Sequence, residues 1–187
     1  MAVIWWVRHG PTHQKAFTGW RDVPADLTDK EALARLADFL PNAPIVSSDL
    51  MRTRDTADAI ARGRPRLPDH PGLREIDFGA WDGLHWEEIA RRWPDLSRAF
   101  WETPGAIRAP DGESWDMASR RVEEARREVC TNHPGDLIFV VHFGVILTQV
   151  QRAAGCSAYE VLAQTIDNLS VTCIPETGPA TLINHLA

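Results

Sequence analysis

An α/β fold built on a largely parallel sheet is predicted for this chain by three observations. Short unbroken apolar runs stand at residues 3–7, 45–46 and 137–141, the pattern of strands buried on both faces. Between them, apolar residues recur at steps of three and four, the period of a helix. Each run also stops abruptly, at Arg8, at Ser47-Ser48 and at His142. Strand–helix alternation of this kind implies a layered domain.

The elements follow in order. After the first strand, Thr28-Asp29-Lys30-Glu31 reads as a capping box that opens a helix with Leu33, Leu36, Ala37 and Leu40 on one face. The second strand, Ile45-Val46, leads into Ser47-Ser48. Residues 62–112 hold much of the proline and tryptophan and are expected to form an irregular cap over the sheet's edge. Within them, His85-Trp86-Glu87-Glu88 reads as the start of an amphipathic helix. Ser114 is placed to cap a helix whose buried stripe is Trp115, Ala118, Val122, Ala125 and Val129. The third strand ends at His142, and Val145, Ile146, Gln149, Val150 and Ala153 then mark a helix closed by Gly155. Residues 169–174 and 181–183 read as two last strands joined by a Pro/Gly turn. With no internal repeat, low-complexity tract or linker, residues 1–187 are expected to form one domain, with its cap at about 62–112.

The 187 residues are 44% hydrophobic and 25% charged, an ordinary globular composition. A net charge of -6 argues against nucleic acid or an anionic membrane as partner. Lys15 and Lys30 are the only lysines. Arginine therefore carries the basic charge, which suits phosphate or carboxylate, although codon bias accounts for most positions. Cys130, Cys156 and Cys173 are few and widely spaced, without the spacing of a metal site. No signal-peptide pattern or membrane-length apolar stretch is visible. A soluble, reduced, cytoplasmic protein without metal or cofactor is expected, its oligomeric state, homodimer included, left open.

The chemistry-bearing residues cluster by position. Arg8 and His9 follow the first strand, Ser48 to Arg52 the second and His142 the third. Ligands of open α/β sheets sit beyond the carboxyl ends of strands, so two arginines and two histidines converge on one place. A neutral imidazole can attack phosphorus through one nitrogen when an acceptor holds the other ring N–H. Guanidinium groups can meanwhile steady the phosphoryl oxygens. A proton donor for the leaving oxygen is offered by Glu75 in the short, glycine-ended segment Leu73-Arg74-Glu75-Ile76-Asp77-Phe78-Gly79, with Asp77 and Asp82 as alternatives.

These residues carry a resemblance. Arg8-His9-Gly10-Pro11-Thr12 resembles the signature of the histidine phosphatase superfamily, the phosphoglycerate mutase-like enzymes. The likeness recurs in order at Gly19-Trp20, Asp22-Val23-Pro24, Leu27-Thr28, Ser48 with Arg52, Thr56 and Ala57, Leu73 with Glu75, Phe78-Gly79 and Gly83, Gly112-Glu113-Ser114, and His142 with Gly144. The resemblance implies a three-layer phosphoglycerate mutase-like fold, mostly parallel sheet flanked by helices with a small cap. It implies that His9 becomes phosphohistidine, that Arg8, Arg52 and His142 bind the phosphoryl group, and that Glu75, over Asp77 or Asp82, donates and then accepts the proton. Thr12, Lys15 and Gly19 join the expected substrate-binding set. Pro11 and Lys15 depart from the Glu and Asn of many relatives; Lys15 either substitutes as a point charge or points to solvent.

Blander readings apply elsewhere. Ser48 and Thr56 are read as helix-cap and packing residues, His13 as a surface histidine, and Arg91-Arg92 as a solvated face. With Trp86, Trp93, Trp101 and Arg108, however, that face lies where specificity would be set. A phosphomonoester phosphatase acting on a small phosphorylated metabolite is the favoured function. A mutase is the alternative, disfavoured by the short stretch after the last strand and the lack of a Tyr- and Arg-containing pattern after Glu75. A non-catalytic phospho-ligand binder is the third reading, and the joint presence of nucleophile and acid argues against it.

Overall fold

A computed structural model describes residues 2–187. Strands β1 (Val3–Arg8), β2 (Ile45–Ser47), β3 (Leu137–Val141), β4 (Val171–Pro175) and β5 (Leu182–His185) form one sheet in the order β2-β3-β1-β4-β5. β2, β3 and β1 pair in parallel, whereas β4 is antiparallel to β1 and β5 to β4. β5 therefore points the same way as the first three, and only β4 runs against them. The predicted sheet is parallel in its centre and mixed at one edge.

The unbroken apolar runs have a direct cause. Ile4 and Trp6 of β1 and Leu137, Phe139 and Val141 of β3 pack on one face. Val7 of β1 and Ile138 and Val140 of β3 pack on the other. Because side chains alternate faces, covering both with helices makes every position apolar. The second face is covered by α1 (Lys30–Phe39), and Ala57 and Ile60 of α2 (Met51–Ile60) pack into the same layer. The first face carries α5 (Trp115–Asn132) and α6 (Phe143–Ala154).

Local signals decide where helices start and stop. Ser114 Oγ accepts the Met117 N–H at the start of α5, and Gly155 closes α6 in the left-handed conformation at φ 65°. At α1 the cap is Asp29, not Thr28. The Asp29 side chain accepts from the Ala32 N–H, and the Thr28 hydroxyl donates to Asp26 instead. The segment expected to be irregular contains α3 (Trp86–Arg92) and α4 (Pro94–Glu102), separated only by Trp93. Pro94 at the first position of α4 needs no N–H donor there, so it divides two helices without breaking either. The short α7 (Ala158–Val161) precedes β4 and carries the true capping box, Ser157 with Glu160. Among the described residues no helix is long and apolar enough to cross a membrane.

Candidate active site

The carboxyl ends of the central parallel strands meet the segment that holds Glu75. His9 follows β1, Ser48 follows β2 just ahead of α2 and its Arg52, and His142 caps the start of α6. His9, Arg52, Glu75 and His142 are buried, at 6%, 1%, 7% and 0% exposure. Four polar or charged side chains this deeply placed need partners, and each has them.

His9 Nδ1 lies 2.7 Å from the Gly10 carbonyl. A carbonyl only accepts, so Nδ1 carries the proton and Nε2 keeps its lone pair. The ring's pKa is lowered to about 3, first by burial and then by the positive charge of Arg52, with the Gly10 hydrogen bond opposing and Arg8 adding to the fall. His9 is thus a neutral base at any ordinary pH. Its main chain is pinned by the Asn168 side chain, which donates to the His9 carbonyl at 2.8 Å. The Gly10 N–H, next along, donates to Thr56 Oγ1 at 3.0 Å.

Arg52 spreads its donors over three acceptors: His142 Nδ1 at 3.2 Å, the Arg21 carbonyl at 3.0 Å and the Gly19 carbonyl at 2.7 Å. It ties the loop after His9 to the start of α2. Burial lowers the pKa of both Arg52 and Arg8, while the Glu75 carboxylate raises it in each, so all three share one electrostatic site. Arg8 donates from Nη1 to the Ile166 carbonyl at 2.5 Å and lies over the Phe143 ring. Its Nε is buried with no hydrogen-bond partner among the described residues. Such an orphaned cationic donor is costly, and an anionic ligand oxygen would relieve it.

The ring centroids of His9 and His142 are 5.3 Å apart. Glu75 Oε2 accepts the Gly144 N–H at 3.1 Å, and Oε1 accepts the Ile76 N–H at 3.0 Å. A Cβ on Gly144 would lie 2.5 Å from Glu75 Oε1, so the carboxylate occupies space that only glycine leaves open. Asp77 and Asp82, the alternative carboxylates, are engaged with backbone. Asp77 accepts from Gly79, and Asp82 accepts from Gly19 and Arg21.

Of the other expected ligand-binding residues, Thr12 is half-buried and Lys15 is exposed, unlike the buried cluster. Gly19 is buried, with its N–H spent on Asp82 and its carbonyl on Arg52. That makes it a loop anchor rather than a free ligand contact. His13 is exposed and pairs with Asp26 at 2.8 Å. Arg108 donates to the Gly112 carbonyl, closing a turn. Ser48, read from the sequence as a helix-cap and packing residue, places its Oγ 2.8 Å from His142 Nε2, and the sequence pattern passes over Asn168, whose side chain holds the His9 carbonyl. In the cap, Phe17, Trp86, Ile89, Pro94, Arg98 and Trp101 line a largely apolar cavity of about 480 Å³. Among the described residues no group of three or more His, Cys, Asp or Glu side chains is gathered as a metal site.

The arrangement unites a neutral nitrogen base, two cationic forks and a carboxylate, parts suited to phosphoryl transfer. Comparisons with known proteins agree. The model of the histidine phosphatase superfamily (branch 1) matches residues 4–186. The chain is 32% identical over 154 residues to a metal-independent phosphoserine phosphatase of Arabidopsis thaliana, covering 77% of this chain and 65% of that protein. It is 28% identical over 180 residues to a probable phosphoglycerate mutase of Cronobacter sakazakii, covering 92% and 84% of the two. The solved structure of YhfR from Bacillus stearothermophilus superimposes with a TM-score of 0.85 at 25% identity, over 100% of this chain and 96% of that one. The chain spans 65% of the Arabidopsis protein and as little as 36% of other relatives.

Proposed function

The chain belongs to branch 1 of the histidine phosphatase superfamily, and on that footing we propose that it is a phosphomonoester phosphatase working through a phosphohistidine at His9. The observation that carries the reading is the state of His9. Its Nδ1–H is committed to the Gly10 carbonyl and its Nε2 is unprotonated in a buried site beside Arg8 and Arg52.

In the first step, the His9 Nε2 lone pair forms a bond to phosphorus while the bond from phosphorus to the ester oxygen breaks. Glu75 supplies the proton that the departing oxygen needs. Arg8 and Arg52 hold the phosphoryl oxygens, doing the charge stabilisation that a metal supplies in other phosphoryl-transfer enzymes, while His142, its two ring nitrogens taken by Arg52 and Ser48, keeps Arg52 in place. In the second step, water attacks phosphorus, the P–N bond breaks, and Glu75 takes the proton that water loses. Residues 1–187 act in this reading as one catalytic domain with a cap at about 62–112. The cap cavity beside Phe17 and Trp101 supports a small substrate with an apolar or planar portion.

The test is a panel of phosphorylated metabolites assayed for phosphate release with wild type and His9→Ala, with an alkaline denaturing quench to trap the acid-labile phosphohistidine. Release by wild type, lost by about a thousandfold or more in His9→Ala, is expected. Equal background rates in both would point to a binding protein. Fast interconversion of phosphoglycerates in the presence of the bisphosphate, with little phosphate release, would make the chain a mutase.

A further inference from the structure

Arg121 of α5 has five guanidinium N–H groups, and five acceptors take them. Nε and Nη2 form a fork onto the two oxygens of Glu113 at 2.8 and 2.6 Å. Nη2 also donates to the Glu75 carbonyl at 3.1 Å, and Nη1 to the carbonyls of Gly72 and Arg74, each at 2.9 Å. Glu113 in turn accepts the Asp77 N–H at 3.0 Å. No donor of Arg121 is left for a ligand, and all of its contacts fall within or against residues 72–77. Trp20 completes the frame, donating from Nε1 to the Glu75 carbonyl at 2.8 Å with its ring over both Arg121 and Arg74.

The segment so gripped has no other regular support. Between the one-turn helices Pro71–Leu73 and Gly79–Trp81 it forms neither strand nor helix, so its backbone groups must find partners elsewhere. Arg121 presents three of those partners in one rigid plane. It does so from a helix whose buried stripe of Trp115, Ala118, Val122 and Ala125 is anchored in the core.

We propose that Arg121 and Glu113 form a positioning clamp for the proton donor, setting where the Glu75 carboxylate stands relative to the leaving oxygen; this rests on the reading of Glu75 as that donor. Neither residue touches the reacting atoms. A lysine cannot replace Arg121, because a single ammonium cannot meet Glu113 and three carbonyls in the planar pattern of a guanidinium.

The test compares phosphoenzyme formation from two aryl phosphates by rapid-quench measurement. Phenyl phosphate has a leaving oxygen that needs a proton, and 2,4-dinitrophenyl phosphate has one that does not. Glu75→Gln should lower the phenyl rate strongly and spare the dinitrophenyl rate. Arg121→Lys should copy that selectivity, about tenfold or more on phenyl phosphate and within about threefold on the dinitrophenyl ester, with little change in KM. A purely structural role would lower both rates alike. Selective Glu75→Gln with unselective or unaffected Arg121→Lys overturns the clamp alone. Unselective Glu75→Gln overturns the donor reading and the clamp with it. Should Arg121→Lys fail to fold, Glu113→Gln, which keeps the shape and weakens the fork, decides by the same comparison.

Discussion

Arg52 and His142 are joined by a hydrogen bond from the guanidinium Nε to the ring Nδ1, 3.2 Å long and buried. Since arginine only donates, Nδ1 is unprotonated and Nε2 carries the ring's hydrogen. That hydrogen goes to Ser48 Oγ, 2.8 Å away. Ser48 passes its own hydrogen to Thr53 Oγ1 at 2.6 Å, and Thr53 donates to the Leu50 carbonyl at 2.8 Å. Every proton in the chain is thereby assigned, and His142 is held neutral in one tautomer.

Ser48→Ala removes the acceptor for a buried N–H. The expected cost is about 1–3 kcal/mol of stability, read as a lower urea midpoint. Phosphohistidine formation should also slow by about tenfold or more as the ring loses its fixed orientation. Nitrogen NMR of the His142 ring checks the cause, because the mutant should populate both tautomers.

Acid should destabilise the protein in a defined window. Burial and the neighbouring Arg52 lower the pKa of His9 to about 3, and the same causes push His142 well down. Between the unfolded histidine value of roughly 6.5 and these lowered values, the unfolded chain binds protons that the native chain refuses. Stability is therefore complete above about pH 6.5 and falls as pH drops, by up to about 1.4 kcal/mol per unit for each ring. Urea unfolding from pH 7 to 5 should show a steep slope, and His9→Asn a shallower one. An unchanged slope would mean that His9 titrates alike in both states.

Gly144→Ala should separate activity from folding. The new Cβ would sit 2.5 Å from Glu75 Oε1 and 2.9 Å from Ile76 Cδ1. The carboxylate must shift, while the first turn of α6 accepts alanine readily. A loss of about a hundredfold in kcat is expected from a displacement near 1 Å, with the thermal midpoint little changed.

Trp86 is a solvent-exposed wall of the cap cavity, 59% exposed. Trp86→Ala should raise KM about tenfold for an aryl phosphate and leave a small sugar phosphate unaffected. Equal effects on both substrates would remove the cavity from the substrate path.

The central sheet was legible because burial on both faces writes itself into consecutive residues: each position of β3 from Leu137 to Val141 is apolar. Ser114 and Gly155 were legible because caps act within a turn of the residues that announce them. The α1 cap was misplaced by one residue, since Thr28 and Asp29 are both able caps and the Thr28 hydroxyl is taken by Asp26, two residues before it. The start of α3 at His85-Trp86 was legible, but α4 was hidden because Pro94 interrupts the period between two short segments. The strand-end residues of the site could be read, but their supports could not. Ser48 meets His142 across 94 residues, Gly144 meets Glu75 across 69, and Asn168 meets His9 across 159. No local pattern records such pairings.

Lys15 and Arg52 offer the last contrast, between a charge that is only nearby in sequence and one built into the site. Lys15 is exposed on the loop after His9, so water screens it and a flexible stem holds it. Arg52 is 1% exposed and fixed by three acceptors, in a low-dielectric setting where a preorganised donor counts most. Lys15→Ala should change kcat/KM by no more than about twofold, whereas Arg52→Lys should lower it by about a hundredfold or more. Arg52→Lys keeps the formal charge, so its loss would show that geometry rather than charge alone is required. Steady-state kinetics on one substrate settles both, and a large effect of Lys15→Ala would mean that its side chain swings onto the phosphoryl group when substrate binds.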